Sequence, residues 1–143
     1  TTIASENEID TIGSRTSKIT TASFAYYFKE QEKNKNQHVK ETVHYIAWEP
    51  GQGTIGTLRY EVARAANGLT DAWSTVPFQQ DFAQAPVFLA DMQTNNNSDT
   101  AALRADNATS TDMQVKVEEE QSKDTEITHP EETVGYLAFD QSE

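Results

Sequence analysis

Glu30, His38 and Glu41 recur later in this 143-residue chain as Glu119, His129 and Glu132, and these side chains could do chemistry. Carboxylates accept hydrogen bonds from hydroxyls and bind cations, and a neutral imidazole offers a lone pair to a metal. On a functional reading, each set holds sugar hydroxyls or a metal ion. On a structural reading, the same groups hydrogen-bond one another and the nearby backbone, fixing a loop between two strands. Tyr27 joins the sugar-contact candidates, because it breaks the apolar alternation beside Tyr26 and corresponds to Lys116 in the second set. Trp48 and Trp73 lie in apolar runs and are expected in a core.

The turn Asn95-Asn96-Asn97-Ser98-Asp99 offers oxygen donors, with Asn95, Asn97 and Asp99 as candidate ligands of Ca²⁺. It lacks the spacing of a D-x-D-x-D-G loop, and Asn and Asp favour turns for local backbone reasons. No other cofactor is implied. Glu118-Glu119-Glu120 with Asp124 and Glu126 reads as a solvated strand end. Asn96 and Asn107 fit the N-glycosylation pattern, which matters only in a eukaryotic source.

Catalysis finds little support. No serine sits in a G-x-S-x-G elbow. His38 with Glu41, and His129 with Glu132, are spaced i, i+3, but both pairs flank strands rather than share a helix face. The 23 acidic residues guarantee carboxylate pairs, yet no spacing singles one out for glycoside hydrolysis. The chain is expected not to be an enzyme.

Short runs of Thr, Val, Tyr and Phe separated by Gly, Asn, Asp and Ser must position these groups, and that pattern predicts strands and turns. Strands are expected over 24–29, 41–48, 57–62, 73–78, 86–92, 101–105, 113–118 and 132–139. Turns are expected at Glu49-Pro50-Gly51-Gln52-Gly53, Ala66-Asn67-Gly68 and 94–99, with a single helical turn conceivable over 61–66. Many short strands at regular spacing indicate an all-β antiparallel sandwich.

An internal repeat is the strongest signal. His38 to Trp48 and His129 to Phe139 both spell H-x-x-E-T-V-x-Y-(I/L)-A-(W/F), at an offset of 91 (129 − 38). Upstream, Asp10, Arg15, Thr20 and Glu30 match Asp99, Arg104, Thr109 and Glu119 at an offset of 89 (119 − 30). The unit is duplicated. We read 1–50 as a first copy lacking its opening strands, 51–72 as a connector and 73–143 as a complete second copy; the two could form one compact unit. An unpaired sheet edge invites completion, by strands of a parent chain preceding Thr1 or by a neighbouring chain.

The second copy resembles the H-type lectin domain. The resemblance rests on Trp73 to Phe78, Pro86-Val87, Thr109 to Val117 and Val134-Gly135-Tyr136-Leu137-Ala138, taken in order and spacing. Asp112-Met113 stands where that pattern has Gly-Phe, and the tandem arrangement departs from it. The resemblance, shared with bacterial carbohydrate-binding modules, implies a small antiparallel β-sandwich, often oligomeric, that binds galactose-type sugars.

Composition bounds the partners. With 11 basic against 23 acidic residues the formal charge is −12, a field that repels nucleic acid and anionic membranes. No apolar run has the length of a membrane-spanning helix, so membrane insertion is not expected. The absence of cysteine excludes a disulfide framework but not export. These observations predict a secreted or cell-surface module that binds a neutral, hydroxyl-rich glycan or polysaccharide. The competing expectation is a structural adhesin or filament repeat, homo-oligomeric or completed by strand exchange with a partner chain.

Overall fold

The computed structural model describes residues 1–34, 37–65 and 68–140. Among these residues it contains no helix and eleven strands. These are β1 (Thr2–Ile3), β2 (Ile12–Ser17), β3 (Ala25–Glu30), β4 (Val43–His44), β5 (Gly51–Ile55) and β6 (Leu58–Arg64), followed by β7 (Ser74–Pro77), β8 (Val87–Met92), β9 (Ala101–Asp106), β10 (Asp112–Glu119) and β11 (Val134–Phe139). The all-β expectation holds.

β5 to β11 form a sandwich of two antiparallel sheets, β7-β10-β9 and β5-β6-β11-β8. Strict alternation drives it. On β10, Met113, Val115 and Val117 face inward and are buried, while Gln114, Lys116 and Glu118 face outward. From the other sheet Ala63, Met92, Val134, Tyr136 and Ala138 close the core, and Phe82 and Leu69 plug its ends. Val115 and Val117 are fully buried; each contributes roughly 1.5–3 kcal/mol.

The first copy is held in the same register as the second. β1 pairs with β4 as Thr2↔His44 and Ile3↔Val43, while β8 pairs with β11 as Asp91↔Gly135 and Met92↔Val134. The differences are 89 (91 − 2) and 91 (135 − 44), the offsets of the sequence repeat. β2 with β3 runs from Ile12↔Glu30 to Ser17↔Ala25, and β9 with β10 from Ala101↔Glu119 to Asp106↔Gln114. β11 is bonded on both edges, by β6 and β8, and so extends over six residues. β4 has only the two residues of β1 beside it, and the expected strand over 41–48 shrinks to Val43–His44.

Several expectations are corrected. Gly51 to Gly53 open β5 rather than form a turn, and the tight turn falls at Gly56, whose φ is +63°. Residues 51–64, read as a connector, are two strands of the sandwich, with β6 bonded to β11 over five residue pairs. The complete unit therefore opens at Gly51, and residues 1–48 correspond to its part from residue 90 to Phe139. Duplication could not reveal this, because the first copy offers nothing to align with 51–72. The helical turn conceived over 61–66 is displaced by β6, whose pairing over-rules local propensity. In the expected turn 66–68, Ala66 and Asn67 lie outside the described residues.

Side chains that are core in the second copy lie exposed in the first. Tyr45 is 59% exposed and its counterpart Tyr136 only 5%. Trp48 and Trp73, expected in a core, are about half exposed; Trp48 packs at a tilt against Tyr60, with ring centroids 4.8 Å apart, and the Lys116 ammonium lies 5.3 Å from the Trp73 ring centroid.

Candidate functional site

Each copy ties the loop before its closing strand with the same set of hydrogen bonds. In the second copy, Glu132 Oε1 accepts from the Asn96 amide N at 2.9 Å and lies 3.2 Å from His129 Nε2, while Oε2 accepts from Thr94 Oγ1. Thr94 Oγ1 in turn accepts from the Thr133 amide, and Asn96 Nδ2 donates to the Glu131 carbonyl at 2.6 Å. In the first copy Glu41 replaces Glu132, Ser5 replaces Thr94, Asn7 replaces Asn96 and Thr42 replaces Thr133, with the same atoms bonded.

The histidines sit at the centre of these clasps. His129 and Glu132 side chains are wholly buried, and His129 Nδ1 is hydrogen-bonded to Glu119 Oε1. His38 Nε2 lies 3.2 Å from Glu41 Oε1, but among the described residues its Nδ1 makes no hydrogen bond, lying 3.3 Å from Glu30 Oε1 and 3.6 Å from Glu8 Oε2. The Ser5 hydroxyl, the Asn7 amide and His38 hold the Glu41 carboxyl below the usual carboxylate range, against the opposing effect of desolvation.

Of the residues singled out from sequence, the structure gathers Tyr27, Glu30, His38 and Asp99 around one open cleft of about 660 Å³, with Phe28 and Lys123. Glu41 lies behind His38. Glu119, His129 and Glu132 do not join them: their side chains are at most 3% exposed, so no sugar hydroxyl reaches His129 or Glu132 without opening the clasp. Glu119 lines the corresponding but smaller recess of the second copy, about 300 Å³.

The turn proposed for calcium already carries a cation. Lys29 Nζ donates to the backbone carbonyls of Asn97 and Ser98 at 3.0 and 2.9 Å. Asn97 Oδ1 accepts from the Asp99 amide, an Asx turn, and Asn95 is exposed. The lysine ties the copies together, alongside Arg15 Nη1 to the Ala101 carbonyl at 2.6 Å and Thr16 Oγ1 to the Met92 carbonyl at 2.8 Å. Burial lowers the Arg15 pKa, while the carboxylates of Glu132, Asp91 and Glu119 oppose that shift.

Sequence reading missed Ser5, Asn7, Thr94 and Asn96 as members of the clasps. The signal was present: the offset of 89 sets hydroxyl on hydroxyl and amide on amide. It also missed the buried Glu61 of β6, which accepts from the Gln79 and Gln80 amides and from Tyr136 Oη at 2.5 Å. No repeat partner flagged Glu61.

The chain is similar to Halomucin of Haloquadratum walsbyi, at 28% identity over 139 residues. That match takes in 95% of this chain and about 2% of the length of Halomucin. No protein-family model and no solved structure matches the chain.

Proposed function

We propose that this chain is a structural repeat of an extracellular surface protein, in which β-sandwich units follow one another as stiffly joined spacers. The observation that carries this reading is the atom-for-atom duplication of the Glu41 and Glu132 clasps in identical strand register. The conserved device shapes loops and is spent on internal bonds. Polar contacts from Arg15, Thr16 and Lys29, the first two buried, join one unit to the next. Similarity to a short stretch of a far longer chain, one named as a mucin, supports a repeat within an extended exported protein. The strongly acidic surface keeps such a chain soluble and self-repelling. Small-angle scattering on concatenated copies of the whole chain, which keep the Arg15, Thr16 and Lys29 contacts, tests it. Maximum dimension rising linearly with copy number is expected, and compact particles would sink the reading.

A second reading, carbohydrate binding, is favoured by the cleft that unites Tyr27, Glu30, His38 and Asp99. A half-exposed ring beside carboxylates provides a stacking face and hydroxyl acceptors. Affinity electrophoresis through galactan, glucan and chitin-derivative gels tests it. Retardation of the chain that Tyr27→Ala abolishes is expected, and unretarded migration in every matrix overturns it.

A further inference from the structure

The first copy departs from the second at one place where chemistry, not shape, has changed. In the second copy the His129 Nδ1 position is filled by a direct hydrogen bond to Glu119. In the first, Glu30 Oε1 lies 3.3 Å from His38 Nδ1 without a hydrogen bond among the described residues, and a further carboxylate, Glu8, replaces the neutral Asn97 that the offset puts in its place (97 − 8 = 89). Two carboxylates now face one imidazole nitrogen.

We propose that Glu8, Glu30 and His38 form a binding site for one divalent first-row transition ion of the zinc class. One donor atom from each residue falls within a 4.8 Å cluster: a carboxylate oxygen of Glu8, one of Glu30 and a histidine ring nitrogen. The independent sign of a missing ligand is Glu30. Its side chain is only 8% exposed, yet among the described residues neither carboxylate oxygen has a hydrogen-bond partner, and His38 Nδ1, on a side chain 2% exposed, has none either. Uncompensated buried acceptors are costly, and a cation held by one Glu30 oxygen and by Nδ1 compensates both side chains.

The spacing suits a small ion. A metal bound tetrahedrally at zinc–ligand distances holds neighbouring donors about 3.3 Å apart, and the Nδ1 separations here are 3.3 Å to Glu30 and 3.6 Å to Glu8. The second nitrogen is already arranged for ligation. Nε2 faces Glu41 Oε1, whose carboxylate also accepts from Asn7 N and Ser5 Oγ, and the tautomer with its proton on Nε2 leaves the Nδ1 lone pair to the ion. A carboxylate behind a ligating histidine orients the ring and raises its basicity. The mixed nitrogen and carboxylate set favours zinc-like ions over calcium, which takes six or more oxygens. Glu30 and His38 line the open cleft, which gives the ion an entry path and leaves its remaining position to water or a ligand hydroxyl.

The test is zinc binding to the intact chain after chelator stripping, followed by titration calorimetry, equilibrium dialysis and imidazole ¹⁵N spectra. One zinc per chain is expected, with the His38 Nδ1 resonance moving and His129 unmoved. Glu30→Gln removes a charge without removing any hydrogen bond, and Glu8→Asn installs the residue the second copy carries. Each is expected to weaken binding roughly tenfold or more, with circular dichroism unchanged. Absence of stoichiometric zinc binding overturns the site, as does binding indifferent to both substitutions or centred on His44.

Discussion

His129 Nε2 lies 3.2 Å from Glu132 Oε1 with both side chains wholly buried, so the closing strand is tied down by a polar pair inside an apolar unit. Removing one partner strands the other. Glu132→Ala is expected to cost about 3–5 kcal/mol in urea unfolding. A cost below about 1 kcal/mol would show that the clasp is dispensable to the fold.

The counterpart in the first copy acts locally. Glu41→Ala is expected to release the amides of Asn7 and Thr42 to fast hydrogen exchange, while those of Val115 and Val117 stay protected. Equal loss of protection in both places would show that the copies unfold as one.

Acid should open the first clasp. The Glu41 pKa is depressed in the folded chain, chiefly by the Ser5 hydroxyl, below the ordinary 4.5. A depressed carboxyl stabilises fully above its unfolded value and loses that contribution as pH falls through the folded one. Carboxyl ¹³C titration should therefore find Glu41 below the ordinary value, and Ser5→Ala should move it upward.

Alkali should act on the sandwich through Tyr136. Burial first, then the hydrogen bond and charge of Glu61, raise its hydroxyl above the usual phenol value of 10.0. Stability from a raised group is complete below the unfolded value and declines as pH climbs towards the folded one. Tyr136→Phe should flatten that alkaline decline and cost about 1–3 kcal/mol at neutral pH, because Glu61 Oε1 loses its donor. Unchanged urea midpoints would refute it.

Completing the first copy should stabilise it. Residue 90 corresponds to Thr1 (90 − 89), so a chain carrying the sequence 51–89 ahead of Thr1 supplies counterparts of β5, β6, β7 and the start of β8. Trp48 emission should shift to the blue and Tyr45 should become shielded, as Tyr136 is. Unshifted emission would mean that the first copy does not complete as a sandwich.

Legibility followed periodicity. Met113 to Glu118 alternates cleanly and is found in β10, and the paired runs at 86–92, 101–105 and 132–139 are found within a residue or two. β2 was missed because Ile12-Gly13-Ser14-Arg15-Thr16-Ser17 is almost wholly polar; its inward groups are buried against the second copy by Arg15 and Thr16 hydrogen bonds, not by apolar area. β5 was hidden under glycines that read locally as a turn.

The sequence by itself determined the strand class, the duplication, its two offsets and the identity of the Glu–His–Glu sets, because alternation and repetition are properties of order along the chain. Tertiary structure alone decided which residues 51–64 belong to and how deeply each histidine lies. It also decided that Lys29 sits on the turn whose oxygens were candidate calcium ligands. Partners distant in sequence set these outcomes: β11 recruits β6 across more than seventy residues, and Glu8 meets His38 only once β1 and β4 have paired. Burial and ligand geometry depend on such long-range neighbours, which local pattern does not encode.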